Sequence, residues 1–553
     1  MAARNDCGFP PRTLFEAFQK SAGKAPEQIA LKGDGGKGKN YTYREVSELI
    51  ARLANGLLTP EFASCIEIGL LSENRPEWPI TYLAITAAGK TVVPLDANLK
   101  PSEMAYIVNH AGLAVIFTSR KFEGQLREHF PGIKLISFEE DSPDSWKSHL
   151  AAPEPPLPSD NEVAVLIYTS GTTGAPKAVQ LTHRNLLANI EGIRPALTFG
   201  SDDTFLSVLP LHHTFEATCG FLVPLMSGAT IAYARSLKSK NIREDIEFNK
   251  ATVMCGVPLL YEKLHHSVRR GIKSAPPLKR AVIRVLYGLS GLGWTLGGRW
   301  GKALFSGLRA KAGLKSMRLF VSGGAALHPN INRFFNLLGF DFQQGYGMSE
   351  CSPVISVNRL ENTRFGTVGP PLPNVEVKIH EPDALGIGEI LIKSDSVTPG
   401  YKDNPEKTAE LIKNGWLYTG DLGRIKDGHL WITGRKKNLI VSAAGKNIYP
   451  EQVEEALLDS RYILESIVFG RKKEEKHGED VCAIIVPDIE RFKSDHGISA
   501  ESPDMDLINR VINEEVAEIN RQIADYKRIN TFQVQLEELE KTSTKKVKRF
   551  VYR

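Results

Sequence analysis

The chain has 553 residues, 42% of them hydrophobic and 24% charged, a length beyond one ordinary core that implies two to four structural units. Its formal charge of +5 is mildly basic for this size; it does not call for nucleic acid and fits an anionic ligand or an anionic membrane surface. The six cysteines (Cys7, Cys65, Cys219, Cys255, Cys351, Cys482) are scattered, without a Cys-x-x-Cys pair or a His/Cys cluster at zinc spacing, which argues against structural zinc and a disulfide framework and for a reducing compartment.

In chain order, the N-terminal MAARNDCGFPPRTLFEAF lacks an apolar run of signal-peptide length. In TLFEAFQKSA, Leu14, Phe15 and Phe18 recur at helical spacing. A strand, a Gly/Lys turn and a helix opened by Thr42 follow, then a buried strand in CIEIGLL, a helix over 77–88 and a strand in KTVVPLD. This alternation predicts an α/β fold with parallel strands. Residues 150–160, LAAPEPPLPSD, are Pro-rich and predict a surface connection. VAVLIYTSGTTGAPKAVQLTH reads as strand, loop and strand, with a helix from His183. Alternation continues through TFLSVLPLHH, ATIAYA, ATVMCGVP and MRLFVSGGAAL. Beyond about residue 365 short strands dominate and predict a small β unit. The sequence turns charged at Gly434, so the expected organisation is a large N-terminal α/β domain over 1–433 and a small α+β domain over 434–553. Pro450 suits the first turn of a helix, where its missing N–H costs nothing. No apolar stretch reaches the roughly 18–20 residues of a membrane span; the nearest, 281–307, is broken by Arg284, Arg299 and Lys302. The expectation is a cytoplasmic protein, able to touch a membrane but not to cross it.

The strongest chemical signal is YTSGTTGAPK over 168–177. An apolar strand feeds a loop of glycines and hydroxyls closed by a lysine. Glycines let backbone N–H groups approach phosphate oxygens. The hydroxyls of Ser170, Thr172 and Thr173 can donate to phosphate or ligate magnesium, and Lys177 adds a positive charge. It is not a Walker loop, because Lys177 follows proline and precedes alanine. A Ser/Thr/Gly surface loop is the plain alternative.

The full string resembles the phosphate loop of the adenylate-forming (AMP-binding) superfamily. Six more strings follow in that family's order: PLHHTFE over 210–216, SGGAAL over 322–327, QGYGMSE over 344–350, YTGD over 418–421, GRKK over 434–437 and STKKVKR over 543–549. The resemblance implies ATP-dependent activation of a carboxylic acid. A carboxylate oxygen attacks the α-phosphorus, pyrophosphate leaves, and an acyl-adenylate remains. Charge on phosphate oxygens must then be met by Mg2+, lysine and backbone donors. By resemblance, Thr169, Ser170, Gly171, Thr172, Thr173, Gly174 and Lys177 cradle the phosphates, and Glu350 ligates Mg2+ with Thr173 or Thr172. Tyr346 lies against adenine, within Gln344, Gly345, Gly347, Met348 and Ser349, and Gly323, Gly324 and Ala325 approach its other face. Ser349 stands where the family more often has threonine and keeps the hydroxyl. Asp421 binds the ribose hydroxyls and Arg435 the ribose or phosphate. Lys437 takes the hinge position, although Lys436 and Lys437 also read as a solvated pair. His213 faces the reacting carboxyl, or is structural. Lys546 is the adenylation lysine, with Lys545 and Lys548 as competitors, because the family often has glycine where this chain has Lys545. Coenzyme A is the implied second substrate, reached after a swing of the small domain, with Gly445 leaving room for its pantetheine arm.

LPLHHTFE and YGMSECSPVISVN look most like bacterial long-chain fatty acyl-CoA synthetases. The segment 264–317, rich in Arg and Lys and poor in acids, reads as a surface that lies on an anionic membrane, as a helical lid on the large domain, or as both. The expected substrates are a fatty acid, ATP and coenzyme A. An aryl or medium-chain acid, or transfer to a separate carrier protein, are the alternatives.

Overall fold

A computed structural model describes residues 11–33, 38–152, 162–169, 176–472, 478–498, 503–541 and 547–552. The chain forms two compact units, one of 1–376 with 392–417, the other of 377–391 with 418–553.

The first unit is built on two sheets. In one, parallel strands Glu67–Leu71, Thr91–Pro94, Val115–Thr118, Lys134–Ser137 and Val163–Thr169 are extended by Lys177–Thr182 and the two-residue strand Gly400–Tyr401, both antiparallel. The other centres on parallel strands Thr204–Ser207, Thr230–Tyr233, Val253–Gly256, Leu319–Ser322 and Asp341–Gly347. Val354–Val357 closes one edge, and the N-terminal strands Ile29–Leu31 and Tyr41–Thr42 close the other.

Local sequence explains the helices around them. Thr42 accepts from the Glu45 backbone N–H while the Glu45 carboxylate accepts from the Thr42 N–H at 2.8 Å, a reciprocal cap that starts Tyr43–Leu57. Glu77–Ala87 is apolar all round, and every residue from Trp78 to Thr86 is buried, as a helix without a polar face must be. In the second sheet's core the Tyr261 and Phe342 rings meet edge to face at 4.7 Å and Phe335 stacks on Phe342 at 5.3 Å. The segment 264–317 is helical. Pro258–Lys273 and Pro277–Thr295 lay Val268, Ile272, Ile283, Leu286 and Tyr287 against this core.

The strand expected through TFLSVLPLHH ends at Ser207. Pro210 cannot continue a ladder, and a buried π-helical stretch, Glu216–Leu222, follows.

In the second unit, Ile463–Lys472 pairs antiparallel with Glu479–Pro487, which pairs parallel with Thr531–Val534. Helices Pro450–Leu457 and Met505–Gln522 cover this sheet through Val453, Leu457, Ile508 and Ile512. Gly434, where the sequence turns charged, lies inside this unit because it pairs with Leu422 in the hairpin of Trp416–Lys426 and His429–Arg435. The five described cysteines are buried and free.

Candidate active site

The expected phosphate loop joins the ends of a β-hairpin in the first unit. Thr169 faces Lys177 across it, and the Thr169 hydroxyl reaches the Lys177 carbonyl at 3.5 Å. Ser170, Gly171, Thr172, Thr173 and Gly174 lie outside the described residues. What holds Lys177 in place comes from far along the chain. Tyr401 pairs with Val179, which sets its ring 5.0 Å from the Lys177 ammonium. The Tyr401 hydroxyl donates to Glu350 Oε1 at 2.9 Å, and the Glu350 carbonyl accepts from the Thr398 N–H at 2.8 Å. Lys177 and Glu350, separated by 173 residues (350 − 177) in sequence, therefore flank one aromatic ring. Glu350 is half-buried, so its carboxylate is a hard oxygen donor with access to solvent, as a Mg2+ ligand must be.

The expected adenine segments sit on adjacent parallel strands, with Ser322 opposite Gln344. Gly323, Gly324 and Ala325 follow the end of Leu319–Ser322. Gly324 has φ +83. A side chain on Gly323 would strike the Phe215 ring, 3.0 Å from a Cβ. Gly345, Tyr346 and Gly347 pair with the antiparallel edge strand and are half-exposed. A Cβ on Gly347 would lie 2.0 Å from the Pro353 carbonyl oxygen, which also accepts from the Met348 N–H at 2.9 Å. Only glycine allows this approach. The Thr214 hydroxyl donates to Ser349 Oγ at 3.1 Å and the Thr218 hydroxyl to the Ser352 carbonyl at 2.9 Å. PLHHTFE is thereby tied to the turn that carries Glu350.

His213 lies in a cluster that sequence reading did not foresee. Its ring meets His212 at 4.1 Å between centroids, and His212 Nε2 is 3.5 Å from Asp96 Oδ1. Donor atoms of Asp96, His212 and His213 lie within 4.8 Å of one another, a set compatible in kind with a transition metal.

Glu216 is also unassigned by sequence. It is 1% exposed and opens the π-helical stretch, where the Ser207 hydroxyl donates to it at 2.6 Å. Burial pushes its carboxyl up to about 8. The fold therefore holds a proton that the unfolded chain, with a value near 4.5, has lost by neutral pH. This group's stability is fully present below about 4.5 and is lost as pH rises toward about 8. Glu216→Gln is expected to gain on the order of 2–4 kcal/mol over wild type between pH 5 and pH 8.5, read by denaturant melts at both values. A pH-independent difference would contradict a buried, protonated Glu216.

In the second unit, Asp421 faces Arg435 across the hairpin, with Arg435 Nε 2.6 Å from its Oδ1. Gly420 has φ +70, and its N–H donates to Glu389 Oε1 at 3.1 Å. Lys436 pairs with Glu389 Oε2 at 2.8 Å, and both Lys436 and Lys437 are exposed. Gly445 turns the small hairpin of Ile440–Val441 and Asn447–Ile448 with φ +71, and a Cβ there meets nothing within 4 Å. Lys545 and Lys546 lie outside the described residues. Flanking them, Lys541 and Val547 face each other in an antiparallel bridge, and Lys548 lies 3.7 Å from Glu540.

Comparison with known proteins sets this arrangement in a family. A profile described as AMP-binding enzyme matches residues 18–402, and one described as AMP-binding enzyme C-terminal domain matches 452–546. Long-chain-fatty-acid–CoA ligase 1 of Cavia porcellus is 30% identical over 87% of this chain and 75% of its own. Peroxisomal long chain acyl-CoA synthetase 7 of Arabidopsis thaliana is 29% identical over 82% of this chain and 69% of its own. Among solved structures, ATP-bound MatB from Rhodopseudomonas palustris superposes with a TM-score of 0.78 over 98% of both chains at 23% identity. The anthranilate CoA ligase AuaEII in complex with anthranoyl-AMP gives 0.77 over 99% of this chain and 98% of its own at 22% identity. At those identities the structures establish the fold, and the profile covering most of the chain establishes the kinship: this protein belongs to the AMP-binding enzyme family.

Proposed function

We propose that the protein is a long-chain fatty acid–CoA ligase, converting a fatty acid, ATP and coenzyme A to acyl-CoA, AMP and pyrophosphate. The observation that carries the reading is the likeness, across most of the chain, to relatives named as long-chain acyl-CoA synthetases. The Lys177–Tyr401–Glu350 cluster supports it chemically. A cation and an anion held on one ring beside the end of a Gly/Thr-rich hairpin suit a magnesium–triphosphate.

In the first half-reaction the fatty acid carboxylate attacks the α-phosphorus and pyrophosphate leaves. Thr169 to Gly174 and Lys177 hold the phosphates, and bound Mg2+, on Glu350 and Thr173, supplies charge neutralisation. Gly323 to Ala325 and Gln344 to Ser349 take the adenine, with Tyr346 against the ring. Asp421 and Arg435 take the ribose, His213 orients the carboxylate, and Lys546 neutralises its approach. In the second, the coenzyme A thiolate attacks the acyl carbon and AMP leaves. A hinge at Lys437 in a mobile domain from Gly434 onward would switch between the two, with Gly445 leaving room for pantetheine. The working location is the cytoplasm; no helix among the described residues is long and apolar enough to cross a membrane.

The purified protein given palmitate, ATP, Mg2+ and coenzyme A is expected to form palmitoyl-CoA, AMP and pyrophosphate in equal amounts by chromatography. ADP as the product, or pyrophosphate release without thioester, would contradict the reading.

A further inference from the structure

Helix Pro277–Thr295 has two apolar faces, and the fold uses only one. Its inner face packs Ile283, Leu286 and Tyr287 on the second sheet's core and buries Ser290 and Gly293. Its outer face, continued by Leu296 at the helix end, exposes Leu278, Val282, Val285, Leu289, Leu292 and Leu296 by between 42% and 78%. Their spacing alternates four and three residues, so they fall in one stripe about 80° wide. Six of the eighteen exposed large apolar side chains among the described residues lie on this one stripe. Singly scattered ones need no explanation, but a contiguous row does.

The charge around the stripe says what covers it. Between Glu262 and Asp341 the chain contains no Asp or Glu and fourteen Lys or Arg, of which Arg299 pairs with Asp341, Arg318 pairs with Asp203 and Arg309 is buried. Lys279, Arg280 and Arg284 lie on the helix itself and are exposed. A second copy laid on this face would bring like charges together, with no acid in the segment to pair them. Nucleic acid would meet the cations but leave the leucines and valines in water. An anionic lipid surface satisfies both, taking the leucines below its headgroups and the cations among its phosphates.

We infer that Pro277–Thr295 is an interfacial helix that docks the protein on anionic membranes through its Leu278–Leu296 stripe. Its inner face packs on the large unit as expected of a helical lid, and the neighbouring exposed stripe is the surface proposed to meet the membrane. Membrane docking does not depend on which acid is activated; only its use, taking fatty acid from the bilayer, rests on the proposed function.

The test is co-sedimentation of the full chain with vesicles of phosphatidylcholine alone or with 30% phosphatidylglycerol (about that fraction suffices to set a negative surface potential). The expected result is binding to the anionic vesicles at least about tenfold tighter than to neutral ones, weakening as salt rises. Val285→Asp with Leu289→Asp is expected to reduce that binding at least about tenfold. Both side chains point to solvent, so melting temperature and exchange with octanoate should stay at wild-type values. Equal affinity for both vesicles, or undiminished binding by the variant, would overturn the inference. So would a wild-type dimer, by analytical ultracentrifugation, that the variant converts to monomer, because the stripe would then belong to a second copy. Sedimentation needs no turnover, so failure of the ligase reading leaves this result interpretable.

Discussion

Replacing Glu350 by glutamine is expected to lower acid-dependent ATP–pyrophosphate exchange by roughly 10²–10³-fold, the usual cost of losing one charge-stabilising group in a transition state. Glutamine keeps the oxygen that accepts from Tyr401 at 2.9 Å and loses only the charge. The melting temperature should therefore move by no more than about 3 °C, and excess Mg2+ should restore part of the activity. Tyr401→Phe separates positioning from ligation. It retains the ring under Lys177 and deletes the hydroxyl, a hydrogen bond to a charged group worth ~1.5 kcal/mol or about tenfold. Wild-type exchange in Glu350→Gln would remove this residue from the magnesium site. A loss in Tyr401→Phe as deep as in Glu350→Gln would make the tyrosine more than a support.

The second large effect is expected at Lys546. Lys546→Ala should reduce exchange by roughly 10²–10³-fold, while thioester formation from supplied palmitoyl-adenylate stays within about tenfold of wild type. The split matters because the lysine's charge is needed only while two anions, carboxylate and α-phosphate, approach each other. Lys548 is the control. It already sits 3.7 Å from Glu540, and an exposed ion pair of that kind contributes little, so Lys548→Ala should lower exchange less than about threefold. If Lys548→Ala instead loses exchange and Lys546→Ala retains it, the adenylation role passes to Lys548.

The parts of this fold that were legible in the sequence are those written locally. The parallel α/β alternation followed from apolar runs punctuated by polar turns. Thr42 opens its helix as expected, Pro450 stands at the first helical position, and strands flank the phosphate loop on both sides. What was not legible depends on distant pairing. Tyr401 reaches Lys177 through a two-residue strand joined across more than two hundred residues, and no spacing rule announces such a partner. Likewise Ile29–Leu31 joins Thr230–Tyr233, so the N-terminal strands serve a sheet built mainly from later sequence. Glu216 stood inside a quoted motif, yet its buried, protonated state depends on closure of the π-helical stretch around it. Nor does the sequence announce that Lys436 meets Glu389, 47 residues earlier in the chain.

The central claim, activation of a long-chain fatty acid through its adenylate, is tested most directly by ATP–pyrophosphate exchange measured in parallel with acetate, octanoate, palmitate and coumarate. The account predicts exchange that requires acid and Mg2+ and is greatest with palmitate. Equal or faster exchange with acetate or coumarate would contradict the substrate class, and no exchange with any of the four would contradict adenylation of the proposed acid.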